Sequence, residues 1–178
     1  SGPPIHERLP AVPDTGDRPQ ALADALNDAH TRAQSDVEQG AFGGLRDLAT
    51  LLHANGFPSK AEPCYTLLRE AQPEEPRWIY FLADLRQQSD DVKGAAILME
   101  EVVELRPSYY WLWLKLAAVR QLLGNVESAM EAYRRCLDFE ANNPHALLET
   151  AREHRRHERW EETQAVVMRL LVHNPEFS

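Results

Sequence analysis

The sequence predicts an all-α solenoid of four helix-turn-helix repeats preceded by one extra helix, and three observations predict it. The first is spacing: Ala49, Ala83, Ala117 and Ala151 stand 34 residues apart, and a fixed period of that length means one supersecondary unit is copied and must stack to bury a shared core. The second is periodicity within each copy. Leu48, Leu82 and Leu116 precede the first three alanines, with Thr150 in the fourth place, and Leu45, Ile79, Trp113 and Leu147 lie four residues before them. Together they make an i, i+3, i+4 apolar face. A second face follows in Ala61, Ala95, Ala129 and Thr163, then Tyr65, Met99, Tyr133 and Val167, then Leu68, Val102, Cys136 and Leu170. The third observation is punctuation. Gly56, Asp90, Gly124 and Glu158 separate the two faces, and Pro73, Pro107, Ala141 and Pro175 follow the second, where proline stops a helix.

The elements follow in order. Residues 1–19 hold five of the chain's 12 prolines, at Pro3, Pro4, Pro10, Pro13 and Pro19, so the segment reads as a linker or extended arm that cannot propagate a helix. Ser1-Gly2 looks like the remnant of a cleaved tag, and no signal peptide is visible. Residues 20–41 form a helix whose stripe Leu22, Leu26, Ala29 and Ala33 is expected to cap the first repeat. The repeats divide as 42–75, 76–109, 110–143 and 144–177. In the first, Ser59 and Glu62 form a capping box for the second helix, placing Pro63 within its opening turn. Thr150 and Thr163 make the fourth repeat the most degenerate. Its last helix carries Val166, Val167, Leu170 and Leu171 with no polar helix behind them, which predicts either a fragment of a longer protein or self-association through that helix.

These columns resemble the tetratricopeptide-repeat (TPR) family. The third repeat carries the motif most fully, as Trp113-x2-Leu116-Ala117 and then Ala129-x3-Tyr133, with Ala141 where the closing proline usually stands. The resemblance covers about three quarters of the chain and implies a right-handed superhelix whose first helices line a concave groove. It places Arg46, Thr50 and His53 in that groove, then Arg77, Tyr80, Asp84 and Gln87, then Trp111, Leu114, Lys115, Ala118 and Gln121, then His145, Leu148, Arg152 and Arg155. Tyr80, Trp111, Leu114 and Leu148 would form an apolar centre, with Arg46, Arg77, Arg152 and Arg155 around it. The second helices instead carry Glu100, Glu101, Glu104, Glu127, Glu131, Glu161 and Glu162. This pattern suits a peptide or protein partner with an apolar anchor and acidic residues, because aromatic and Arg side chains bury large areas or bind carboxylates bidentately. Family members that grip the acidic tails of heat-shock chaperones use a clamp of Lys, Asn, Asn, Lys and Arg. Those positions here hold Arg46, Thr50, Phe81, Trp111 and Lys115, so chaperone-tail binding is not expected.

Composition sets further bounds. A net charge of -9 over 178 residues argues against nucleic acid as a general partner, and no apolar run approaches the length of a membrane span. Cys64 and Cys136, two repeats apart in core-like helices, read as buried free thiols rather than a disulfide. His154 and His157 have i, i+3 spacing near Glu153 and Glu158, but the surrounding arginines would repel a cation, and no metal or cofactor is expected. No phosphate loop, nucleophile elbow or carboxylate pair marks a catalytic site. The expected function is a non-catalytic interaction module or scaffold. The alternative is the repeat domain of a larger, exported bacterial enzyme or cytochrome-like protein, serving assembly or oligomerisation. The compartment is cytoplasmic or, with a trimmed signal peptide, periplasmic or exported.

Overall fold

The computed structural model describes residues 3–177, so the reading of Ser1-Gly2 lies outside the described residues. Regular structure among them is helical: α1 (Gln20–Glu38), α2 (Gly43–Ala54), α3 (Pro58–Ala71), α4 (Pro76–Gln88), α5 (Val92–Leu105), α6 (Tyr110–Leu122), α7 (Val126–Phe139), α8 (Pro144–Arg156) and α9 (Trp160–His173), with short 3-10 turns at Ile5–Arg8 and Pro175–Phe177. The chain divides into two compact units, one through Leu85 and one from Arg86.

One local device recurs in both units. Each α2/α3-type hairpin turns on a residue in the left-handed region: Gly56 at φ 73°, Asp90 at 63°, Gly124 at 73° and Glu158 at 56°. The amide of that residue bonds the carbonyl three back, and the next amide bonds the carbonyl five back, as in Gly56 N to His53 O at 3.1 Å and Phe57 N to Leu52 O at 2.9 Å. The same pair of bonds closes the helix before Asp90, Gly124 and Glu158. This is the Schellman termination, which satisfies the last carbonyls of a helix and normally recruits glycine. The repeat column of turn residues is thus a column of backbone geometry.

In the first unit, α1 lies against α2 and buries Leu26, Ala29 and Ala33. Gly44 is the reason the two helices come so close: a Cβ there would sit 2.6 Å from the Ala33 backbone nitrogen and from the Arg32 carbonyl carbon. Asp36 Oδ2 accepts from the Gly44 amide at 2.7 Å, tying the start of α2 to the end of α1. The hairpin of α2 and α3 buries Leu45, Leu48, Ala49, Leu52, Ala61, Cys64, Tyr65 and Leu68. The N-terminal segment is fastened to this unit: Arg8 makes a bidentate pair with Glu70 at 2.6 and 2.8 Å, and Arg18 bonds the Asn55 carbonyl while its guanidinium lies 4.3 Å from the Phe57 ring centre.

The start of α3 differs from the expected capping box. The helix begins at Pro58, with Phe57 as N-cap and no side-chain cap bond, so Ser59 already lies inside it and Pro63 falls in the helix interior. Pro58 wins because its fixed φ and missing N–H suit the first helical position, where the Phe57 carbonyl accepts from both Lys60 and Ala61 at 3.0 Å.

In the second unit Asp91 caps α5 by accepting from Gly94 N at 2.9 Å, and the buried Asn143 caps α8 by accepting from Ala146 N at 3.2 Å. The core includes Ala95, Met99, Val102 and Val103 of α5 together with Leu112, Leu116, Ala117, Val119, Ala129, Ala132, Tyr133, Cys136, Ala146, Leu147, Ala151 and Leu170. Trp113 is not a core residue like Leu45, Ile79 and Leu147. It is half-buried, donates its indole N–H to the Pro107 carbonyl at 2.7 Å and lies beneath the Arg135 guanidinium at 5.4 Å. Its neighbour Leu112 is buried, in a column with Gly44, Trp78 and Ala146 that is buried in every repeat. Four unlike residue types fill that column, so it carries no visible repeat signature. On α9, Leu170 is buried, whereas Thr163, Val166, Val167 and Leu171 are half-buried.

Candidate functional site

The candidate residues of the first unit divide into two groups. Arg46 and Arg77 are exposed and border a cavity of about 420 Å³ shared with Phe42, Gln72, Pro73 and Trp78. Neither cation is electrostatically isolated: Arg46 lies 3.5 Å from Asp47, and Arg77 pairs with Glu75 at 2.9 Å while its guanidinium lies 5.2 Å from the Trp78 ring centre. The positive character expected here is therefore locally offset. Such exposed pairs contribute little stability and stay open to exchange for another carboxylate.

The second group is knitted into the fold. His53 keeps only 14% of its side chain exposed; its Nε2 lies 3.2 Å from Asp84 Oδ2 and its Nδ1 lies 3.3 Å from the Tyr65 hydroxyl. Tyr65 stacks on Phe81 at 5.0 Å, and Tyr80 meets Phe81 edge-on at 5.7 Å. Burial pushes the Tyr65 hydroxyl up to about 12, with the neighbouring Thr50 side chain pulling the other way, so it works here as a neutral hydroxyl. Thr50 itself bonds back to the Arg46 carbonyl at 2.9 Å.

The second unit repeats the polar motif with different residues. The Tyr133 hydroxyl donates to Gln121 Oε1 at 2.9 Å, and Gln121 Nε2 donates to Glu149 Oε2 at 3.0 Å. Glu149 also holds Arg152 at 2.5 Å. Gln121, Glu149, Arg152 and Arg156 line a smaller cavity of about 200 Å³ with Val126 and Met130. His145 and Arg155 are exposed on α8, while Leu148 is half-buried. Gln87 is exposed near the end of α4.

The start of α6 presents an open aromatic surface. Trp111 is 40% exposed and stacks on Tyr109, itself 47% exposed, with ring centres 6.4 Å apart and planes 25° apart; Tyr110 is 37% exposed. Lys115 and Ala118 continue the exposed face, Leu114 is half-buried, and α6 carries no acidic residue. Tyr109 and Tyr110 were missed by assignment from repeat columns because they lie at the repeat boundary. The run Tyr109-Tyr110-Trp111 was the available signal.

Other chemistry is subdued. Burial pushes the Cys64 thiol up to about 12 and the Cys136 thiol up to about 11; both are free and unreactive as thiolates. His157 is bonded to Glu153 at 2.8 Å, and His154 Nδ1 is buried without a hydrogen-bond partner, so the two imidazoles have separate environments. No helix among the described residues is long and apolar enough to cross a membrane.

No family model and no curated protein matches the chain. Solved structures do. A structure of MamA matches with a TM-score of 0.73 at 16% identity, over 93% of this chain and 98% of that one. YrrB, described as a TPR protein with an unusual peptide-binding site, matches with a TM-score of 0.67 at 13% identity, over 88% of this chain and 79% of that one. PilF of Pseudomonas aeruginosa matches with a TM-score of 0.64 at 14% identity, over 85% and 72%. At these identities the likenesses show the fold.

Proposed function

We propose that this chain, a tetratricopeptide-repeat solenoid by fold, is a non-catalytic interaction module that binds a peptide or protein partner through exposed faces of its first helices and self-associates through its last helix. The observation that carries the reading is the open aromatic surface at Tyr109, Tyr110 and Trp111, beside Lys115 on a helix without acidic residues. Exposed aromatic side chains of this size are common binding anchors, because covering them removes much apolar area from water at small entropic cost. Lys115 favours a partner with an acidic residue next to its apolar anchor. In the first unit Arg46 and Arg77 at their cavity offer a second site for carboxylates, reached by exchange with Asp47 and Glu75. YrrB's peptide-binding site supports this reading by analogy of fold.

The test is to select binders from a displayed random peptide library on the wild-type chain and measure the best one against variants by fluorescence anisotropy. Trp111→Ala should weaken it at least about tenfold, as expected for a buried aromatic anchor, with an unchanged melting temperature. Charge reversal at Lys115 should remove the preference for acidic peptides. Equal affinity of the wild type and Trp111→Ala would overturn the assignment.

A further inference from the structure

The solvent faces of the second helices hold equivalent positions in each repeat, and α9 departs from the others. On α7 these positions are Glu131, Arg134 and Asp138, with the Arg134 and Asp138 side chains 70% and 52% exposed. On α5 they are Ile97, Glu100 and Glu104, of which two are acidic. On α3 they are Pro63, Thr66 and Glu70, and there the chain seats its own N-terminal segment: Arg8 closes on Glu70 and borders a cavity with Pro63 and Thr66. On α9 they are Ala165, Met168 and Val172, without charge, and Met168 and Val172 are 55% and 68% exposed. Trp160, 63% exposed, lies at the start of the same helix.

This apolar stripe differs from the buried Leu170 and the half-buried Val166, Val167 and Leu171 on which self-association was first expected. At the positions of Met168 and Val172 the other second helices carry charge or are covered by the N-terminal segment, and Ile97 on α5, 67% exposed, is an isolated apolar residue beside Glu100 and Glu104. Keeping Met168 and Val172 in water forgoes the stabilisation that contact would bring.

We infer that the solvent face of α9 pairs with α9 of a second copy, running antiparallel about a two-fold axis near Met168. Charge selects this occupant. Glu161 and Glu162 stand in the first turn of α9, and Arg169 and His173 stand towards its end, with Arg169 held by Asn142 at 3.1 Å. About that axis Glu161 and Glu162 of each helix stand towards His173 of the other, Ala165 of each meets Val172 of the other, and the two Met168 side chains meet near the axis. A parallel copy would set like charges together. The same patch on both subunits is the isologous contact that closes a dimer. The contact spans about three turns, roughly 16 Å of helix, so the dimer is weak and reversible. The inference rests on the self-association part of the proposed function and is independent of the aromatic face on α6.

Sedimentation equilibrium of the full chain from about 5 to 500 μM tests it, together with the variant Met168→Arg/Val172→Asp, which installs the residues of α7 at those positions. The wild type should show a monomer–dimer equilibrium, and the variant should raise the dissociation constant at least tenfold with unchanged helicity by circular dichroism. Met168→Cys, close to the axis, should form a disulfide-linked dimer on mild oxidation, whereas Arg134→Cys on α7 should not. A wild type that stays monomeric throughout, a variant that dimerises as well as the wild type, or equal cross-linking at both positions overturns the proposal. Binding of the selected peptide to the double variant separates the two readings: retained binding with a lost dimer supports both, and binding lost together with the dimer counts against the independence of the two faces.

Discussion

Tyr65 and Tyr133 occupy the same position of their hairpins two repeats apart, and each hydroxyl meets the polar side chain near the end of the first helix of its own hairpin, His53 at 3.3 Å and Gln121 at 2.9 Å. In each case that residue then reaches a carboxylate of the next first helix, Asp84 or Glu149. The relay links three helices through groups that are otherwise costly to enclose. Replacing Tyr133 by Phe should cost about 1 kcal/mol, and Gln121→Ala a similar amount, with the double variant costing less than the sum. Urea denaturation of the four proteins in the cycle measures the coupling; strictly additive losses would count against the relay.

Gly44→Ala should destabilise the chain by about 1–3 kcal/mol, because the new methyl group meets the α1 backbone at Arg32 and Ala33, which cannot move aside as a flexible side chain would. Thermal melts compare it with Gly40→Ala, where a Cβ meets nothing within 4 Å and only the positive φ of 76° opposes the change. In a variant shortened to begin after α1, the steric part of the Gly44→Ala penalty should disappear.

Glu158→Gly should stabilise the chain by about 0.5–1 kcal/mol. Glu158 occupies the left-handed C′ position at φ 56° that Gly56 and Gly124 fill without strain, and the relief exceeds the extra entropy glycine brings to the unfolded chain. Asp90→Gly should gain less, since Asp tolerates this region better than Glu. A rise in the urea midpoint at constant slope is the expected readout.

Alkaline pH should weaken the fold. Cys64, Cys136, Tyr65 and Tyr133 all titrate higher in the folded chain than free side chains do, chiefly through burial. Groups of this sign give their full stabilisation below the unfolded values, about pH 8.5 for Cys, and lose it progressively as the pH climbs towards the folded values near 11–12. The denaturation midpoint should be level from pH 7 to 8.5 and fall above that. Native thiol labelling at pH 8 should be slow and should become complete on unfolding.

Much of the fold was legible because stacking imposes a repeat on every residue that touches a neighbour. The alanine ladder, the second-helix columns and the left-handed turn column all answer to one geometry, so they recur at one spacing and can be read without coordinates. Where a position tolerates several solutions the signal fades. Gly44, Trp78, Leu112 and Ala146 are all buried, yet each fills a differently shaped space, and Trp113 takes the place of a core residue in the pattern while its indole N–H turns to Pro107. The candidate binding residues were legible as helix positions but not as environments. Nothing local to His53 distinguishes it from Arg46, yet one is drawn into a relay with Tyr65 and Asp84 and the other stays at an open cavity.

By itself, the sequence determined the number of repeats, the helix pairing and the turn geometry, because these depend on periodicity and on backbone preferences that act within a few residues. Tertiary structure alone decided which of the outward residues are presented and which are consumed. Exposure of Trp111, the enclosure of His53 between Tyr65 and Asp84 and the bare stripe at Met168 and Val172 follow from what other segments cover. Those contacts join residues with no fixed separation along the chain, so no period records them.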